Sequence, residues 1–178
     1  MKYKLIIVIV VLPFLCSCAS TKDRLNVTES YSLISSSFQL SKDSRQKFIE
    51  KGSASLDIVK NDASAKVDTR ELSILLDSSK AANQKSMAMI NLAADINPVR
   101  YKEKALRYIN LLNKLYNREF RKYIDVLAIQ SDDRYERAYK LLISRQEELN
   151  HLAKRFTDAA AEVKEEYRLQ LDSAQLTK

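Results

Sequence analysis

The sequence predicts an all-α fold, an elongated antiparallel bundle of about four long helices. Three observations lead there. The 178 residues include one Gly, two Pro and no Trp, so the Gly-containing turns that tight hairpins need are almost absent. Ala, Leu, Lys, Glu, Arg and Gln dominate, and these favour helix. Apolar residues recur every three to four positions over most of the chain, the period of one helical face.

The first helical region is expected from about 27 to 66, with Asn26-Val-Thr-Glu29 as a capping box. Its stripe is Val27, Tyr31, Ile34 and Phe38, then Ile49, Leu56, Val59 and Ala63. Ser35–Ser37 and Gly52-Ser53 are poor helix formers, so a kink or break is expected near Gly52. Asp68-Thr-Arg-Glu71 reads as a second capping box, opening a helix with Leu72, Leu75, Leu76, Ala82, Met89, Ile90, Ala93 and Ile96 on one side. Ser79 and Ser86 share that stripe, and such small residues let a neighbouring helix approach closely.

Asn97-Pro98 is the clearest boundary, because Asn caps and Pro suits the first helical position. The third helix is expected over about 98–130. Its stripe is Ala105, Tyr108, Ile109, Leu112, Leu115, Tyr116, Phe120, Tyr123, Ile124 and Leu127. Ser131-Asp132-Asp133 supplies the next cap, with acids in the first turn. The fourth helix is expected from about 132 to 173, burying Tyr135, Ala138, Tyr139, Leu142, Leu149, Leu152, Phe156, Ala160, Val163 and Tyr167. Short connections at 67, 97 and 131 force antiparallel neighbours.

The N-terminus has a separate character. Lys2 and Lys4 precede an apolar run from Leu5 to Leu15, interrupted by Pro13. That run is the length of a secretory signal core and well short of the roughly 20 residues a helix needs to span a bilayer. It ends in Leu15-Cys16-Ser17-Cys18, which resembles the bacterial lipobox: an aliphatic residue at −3, a small one at −1 and Cys at +1. Leu15, Ser17 and Cys18 fill those positions. The resemblance is to the bacterial lipoproteins. It implies removal of residues 1–17 as a signal peptide, diacylglyceryl (palmitate-type) lipidation of Cys18, and anchoring of the domain to a membrane. Residues 18–26 become the lipidated tether and 27–178 the helical domain. Two or more acyl chains hold a protein stably where one binds marginally. Ala19, rather than Asp, follows the Cys, which by the enterobacterial sorting pattern implies the outer membrane, on its periplasmic or its surface face.

Cysteine counting narrows the chemistry. Cys16 leaves with the leader and Cys18 is acylated, so no disulfide, Cys nucleophile or Cys metal site is expected. His151 is the only histidine. Glu148-Leu-Asn-His151 has the local form of a di-iron carboxylate motif, but that site needs a second E-x-x-H, and His151 should lie at the surface. Ser-His-Asp chemistry is likewise unsupported, and Gly52 alone cannot build a phosphate loop. No catalytic residues, metal or cofactor are expected, and the chain is read as a non-enzyme.

Charge provides the functional hint. Once Lys2 and Lys4 leave with the leader, 28 basic and 23 acidic residues remain, a net +5. Residues 98–131 hold eight basic and three acidic residues, also +5. Arg100, Arg107, Lys114 and Arg121 are spaced by seven, and Lys104 and Arg118 fill the intermediate steps; Leu111 interrupts the row. This is one helical face. It can serve a partner, or it can be an internal charge seam with Asp158, Glu162, Glu165 and Asp172, placing Lys104 near Asp158 and Arg100 near Glu162. Tyrosines at 101, 108, 116, 123, 135 and 139 gather near the same hairpin, where a Tyr-Arg surface would suit a binding hot spot; most fall on the apolar stripe, which favours core-edge packing with the hydroxyls reaching water.

Two functions follow from these residues. The first is an outer-membrane-anchored helical lipoprotein that works by contact, as a scaffold or assembly accessory for another envelope protein. Helical secretion pilotins are similar in anchor and helicity only. The second is a binder of an anionic envelope ligand, a lipid phosphate or cell-wall polymer, through the basic face. Export argues against nucleic acid. With the first helix rising from the anchor, the ends near Val67 and Ser131 are expected to lie far from the membrane.

Overall fold

The computed structural model describes residues 6–96 and 100–167, with side chains from Asn26 onward. The leader, Cys18 and the segment joining it to Asn26 fall outside the fully described residues. So do Asn97-Pro98 and the expected helix end near 173. Among the described residues the chain forms helices and no strand: α1 (Ile6–Asn61), α2 (Arg70–Leu92), α3 (Tyr101–Asn117), α4 (Glu119–Ala128), α5 (Arg134–Leu142) and α6 (Gln146–Tyr167). α3 with α4 and α5 with α6 form two rods, so the architecture is a bundle of four long helical rods.

Side-chain pairs fix the directions. Lys51 meets Glu71, Ser79 reaches Ser44 and Ser30 reaches Ala94, so α1 and α2 run antiparallel. Asn83 reaches Ile109 and Arg121 faces Asp77, so the third rod reverses again. Phe38 stacks on Phe156 and Arg45 holds Gln146, which returns α6 antiparallel to α1.

Two aromatic clusters pin the core. At one end Tyr31, Tyr101, Phe156, Phe38 and Tyr108 follow one another at ring separations of 3.9–5.2 Å. Toward the other end Phe48 stacks on Phe120 at 4.7 Å, with Tyr116 and Tyr123 edge-on. Such pairs add about 0.5–1.5 kcal/mol beyond the area they bury.

The α1–α2 interface is lined by serines instead. Ser37, Ser41, Ser79 and Ser86 are buried, and the Ser79 hydroxyl donates to the Ser44 carbonyl at 3.0 Å. That is the close backbone approach expected from Ser79 and Ser86.

Several expectations are corrected. α1 runs through Asn26, so no free amides there require a cap. It also runs unbroken through Gly52. Gly serves there for space, because a Cβ would lie 2.9 Å from Leu142 Cδ1 and 3.3 Å from the Tyr123 hydroxyl.

Before α2, Asp68 accepts the backbone N–H and the guanidinium of Arg70, which holds its carboxyl down at about 2. Glu71 turns to Lys51 at 2.6 Å, so the box expected between Asp68 and Glu71 does not close. The third rod bends at Arg118 (φ −122°, ψ −70°), although hydrogen bonds from Arg118 N–H to Lys114 and from Lys122 N–H to Arg118 carry the register across. The fourth rod breaks at Ile143–Arg145, where Arg145 adopts φ 56°. Ser131 caps nothing with its hydroxyl, which bonds Asp133.

Arg134 closes the end of the bundle that carries the 62–69 and 129–133 turns. It is 1% exposed. Its guanidinium donates to Ala63 O at 2.7 Å, Ala65 O at 2.9 Å and Leu127 O at 3.4 Å. A cation thus sits on the Leu127 carbonyl in the last turn of α4, where the helix dipole favours it, and on two carbonyls of the turn that follows α1.

Candidate partner-binding face

The six cations of the predicted row lie along α3 and the start of α4, and they do not behave alike. Glu103 gathers two of them, Arg107 at 2.5 Å and Arg100 at 3.7 Å. Arg121 stands 3.9 Å from Asp77 of α2. Lys104, Lys114 and Arg118 form no ion pair among the described residues. The internal seam with α6 is not formed: neither Lys104–Asp158 nor Arg100–Glu162 is an ion pair, although α3 and α6 are neighbours. The reason is local. Glu103 lies one turn from both Arg100 and Arg107, and intrahelical pairs at these spacings form without ordering a second helix. Leu111, the gap in the row, is buried.

The tyrosines also differ from expectation. Tyr101, Tyr108, Tyr116 and Tyr123 are fully buried core residues, not core-edge ones. The Tyr101 hydroxyl pairs with Ser35 Oγ at 2.6 Å and that of Tyr123 donates to Gly52 O at 2.6 Å. Burial pushes the phenol pKa of all four upward. Tyr135 and Tyr139 remain toward the surface and stack on each other at 6.1 Å. His151 is exposed, as expected, and Glu148 is held by Arg145 at 2.6 Å.

Sequence reasoning missed a groove between α4 and α5. Its α4 side carries Lys122, Asp125, Val126 and, just past the helix end, Ile129, at the i, i+3, i+4, i+7 spacing of one face. Its α5 side carries Arg137, Lys140 and Leu141. The groove is a shallow, solvent-open depression of about 520 Å³. Val126 forms the floor at 9% exposure, while Ile129 stands 60% exposed. Three cations and one carboxylate surround this apolar strip. Arg137 leans on Asp133 at 3.5 Å; Lys122, Asp125 and Lys140 form no ion pair among the described residues. Lys114, Arg118 and Lys122 follow at steps of four across the bend, so the groove continues the unpaired part of the basic row.

No family model, curated protein or solved structure matches the chain.

Proposed function

We propose that this chain is a lipid-anchored helical module of a bacterial envelope that acts by contact, as a scaffold or assembly accessory for another envelope protein. Cys18, the leader that precedes it and the helical domain that follows supply the architecture. Among the described residues no helix is long and apolar enough to cross a membrane, so the proposed attachment rests on the acyl chains of Cys18. The observation that carries the contact reading is the set Lys104, Lys114, Arg118, Lys122 and Lys140: cations of α3, α4, α5 and the Arg118 bend that form no ion pair among the described residues. A surface that only solvates or braces the bundle has no need to concentrate the mature chain's entire excess charge on one rod.

Mass spectrometry of protein isolated from membranes tests the anchor. The expected N-terminal peptide begins at residue 18 and carries the mass of a diacylglyceryl thioether. A free thiol at Cys18, or protein found only in soluble fractions, overturns it. Cell crosslinking through the exposed positions of α3 and α4 tests the contact.

A second reading is favoured by the same unpaired cations: binding of a phosphate-bearing lipid or an anionic wall polymer to Arg100, Lys104, Arg107, Lys114, Arg118 and Arg121. Ionic strength separates the two. Polymer or phosphate binding through charge alone weakens steeply with salt, whereas packing of apolar surface does not.

A further inference from the structure

We infer that the α4–α5 groove is the docking site for an acidic amphipathic segment, most simply a helix, of the partner protein. The inference rests on the contact reading above and assigns it a place and a chemistry. Three features of the groove converge.

The first is apolar. Val126, Ile129 and Leu141 form a strip between two helices, and Ile129 at 60% exposure is a large side chain that its own fold leaves uncovered. An amphipathic helix laid in a groove supplies apolar side chains at i, i+3, i+4 and i+7, for which Val126, Ile129 and Leu141 are the apolar contacts. The second is electrostatic. Lys122, Arg137 and Lys140 border the strip on both walls against Asp125 alone. Carboxylates flanking the apolar face of an incoming segment would pair with these cations. Lys122 and Lys140 form no ion pair among the described residues, so docking breaks no bridge seen there.

The third is position. The groove lies beside the 129–133 turn, at the end of the bundle where Gln130 and Arg134 bond the 63–65 turn after α1. From Asn26 to Asn61 α1 rises about 50 Å at 1.5 Å per residue. A chain tethered at Cys18 therefore carries this groove at its far end, away from the bilayer that holds the anchor. That distance favours a protein segment over the headgroups of the anchoring membrane.

The test uses the full chain in a nonionic detergent and a labelled synthetic helix with Leu along one face and Glu on both flanks, followed by fluorescence anisotropy. Two companion peptides separate the contributions, one with Glu replaced by Gln and one with Leu replaced by Ala. Both are expected to bind at least about tenfold more weakly, since charge and apolar anchors each contribute on that scale. Lys122→Glu with Lys140→Glu, and separately Ile129→Ser, are expected to weaken the parent peptide about tenfold, with circular dichroism unchanged. Lys85→Glu, the same charge reversal on exposed α2, is expected to leave binding intact. Equal loss on Lys85→Glu, or full affinity for the Ala peptide, overturns the groove. So does displacement of the parent peptide by phosphatidylglycerol vesicles in a manner abolished by the Lys122/Lys140 reversals, which would make the occupant a lipid surface.

In cells, a photocrosslinker at Ile129 is compared with the same group at exposed Ile74 and Leu92. Adducts at Ile129 that a Lys122→Glu/Lys140→Glu background removes support the docking site. Adducts only at Ile74 or Leu92 refute the groove and leave the contact reading standing, while none at any position refutes both.

Discussion

The hydroxyl of Tyr123 donates a 2.6 Å hydrogen bond to the carbonyl oxygen of Gly52, seventy-one residues earlier in the chain. That bond joins α4 to the C-terminal part of α1 at the point where a side chain is missing. A Cβ at residue 52 would sit 2.9 Å from Leu142 Cδ1 and 3.3–3.4 Å from the Tyr123 ring and hydroxyl. Two effects oppose each other in Gly52→Ala. Helix propensity favours Ala by about 1 kcal/mol, and overpacking a tight core costs about 1–3 kcal/mol. Leu142 is buried and has little room to retreat, so the clash wins. Gly52→Ala is expected to destabilise by about 1 kcal/mol and Gly52→Val by about 3 kcal/mol, read from urea unfolding. A gain in stability from Gly52→Ala would show that the interface has slack.

Arg134 makes a second prediction, because its charge is buried against carbonyls and not against a carboxylate. Arg134→Met keeps much of the volume but leaves Ala63 O, Ala65 O and Leu127 O without their donor. The expected cost is about 2 kcal/mol, with faster amide exchange in the 62–66 turn. Arg134→Lys should recover little, since one ammonium cannot span the carbonyls that a planar fork reaches. The neighbouring exposed Arg137→Met is the comparison, expected to change stability by less than about 0.5 kcal/mol. Equal effects at the two positions would remove the structural role assigned to Arg134.

These two residues also show what the sequence could reveal. The stripe of the third rod was legible in full, and all ten of its residues from Ala105 to Leu127 are buried. A strict period of 3.6 over a long segment leaves little freedom about which face packs. Arg134, Arg45 and Asn83 were not legible, because polar side chains are assigned to the surface unless a partner is known, and here the partners are carbonyls or an amide from other rods. Gly52 was read as a weakness because its use lies in Leu142 and Tyr123, which only the tertiary fold brings there. The break at Arg145 has neither Gly nor Pro to announce it. The α4–α5 groove escaped for a related reason: Ile129 and Leu141 lie off the main stripes, and only the hairpin at 131 sets them face to face. The six cations of the third rod were found as a row, but their division into paired and unpaired members depends on Glu103 and Asp77, not on spacing.

That division can be tested through stability alone. Lys104, Lys114 and Arg118 have no acid within pairing distance among the described residues, so their replacement by Gln should remove no native interaction. Each is expected to change unfolding free energy by less than about 0.5 kcal/mol, and the triple variant should be as stable as the parent. A loss of more than about 2 kcal/mol in the triple variant would mean that these cations brace the bundle after all, and the candidate face would lose its best argument.

The four core tyrosines set an alkaline limit on the fold. Below about pH 10 a phenol is protonated in both folded and unfolded chains, so it adds no pH dependence. Burial raises the folded pKa of Tyr101, Tyr108, Tyr116 and Tyr123 above that of the unfolded chain. Above pH 10 the unfolded state therefore holds fewer protons than the folded one, and the free energy of unfolding falls as pH rises. Each phenol contributes a slope approaching about 1.4 kcal/mol per pH unit. Tyr101, Tyr116 and Tyr123, whose shifts are large, together remove roughly 4 kcal/mol within one unit, a large part of the stability of a small domain; Tyr108 acts in the same direction. The bundle is expected to unfold cooperatively between about pH 10.5 and 11.5, with tyrosinate absorbance for these four rising in step with the loss of helical dichroism. Tyr123→Phe, which removes the group whose shift comes from burial alone, should lower the slope by about one quarter to one third. Smooth ionisation of every tyrosine near pH 10 with helicity intact would contradict the buried positions of these rings, and with them the packing of the third rod against α1.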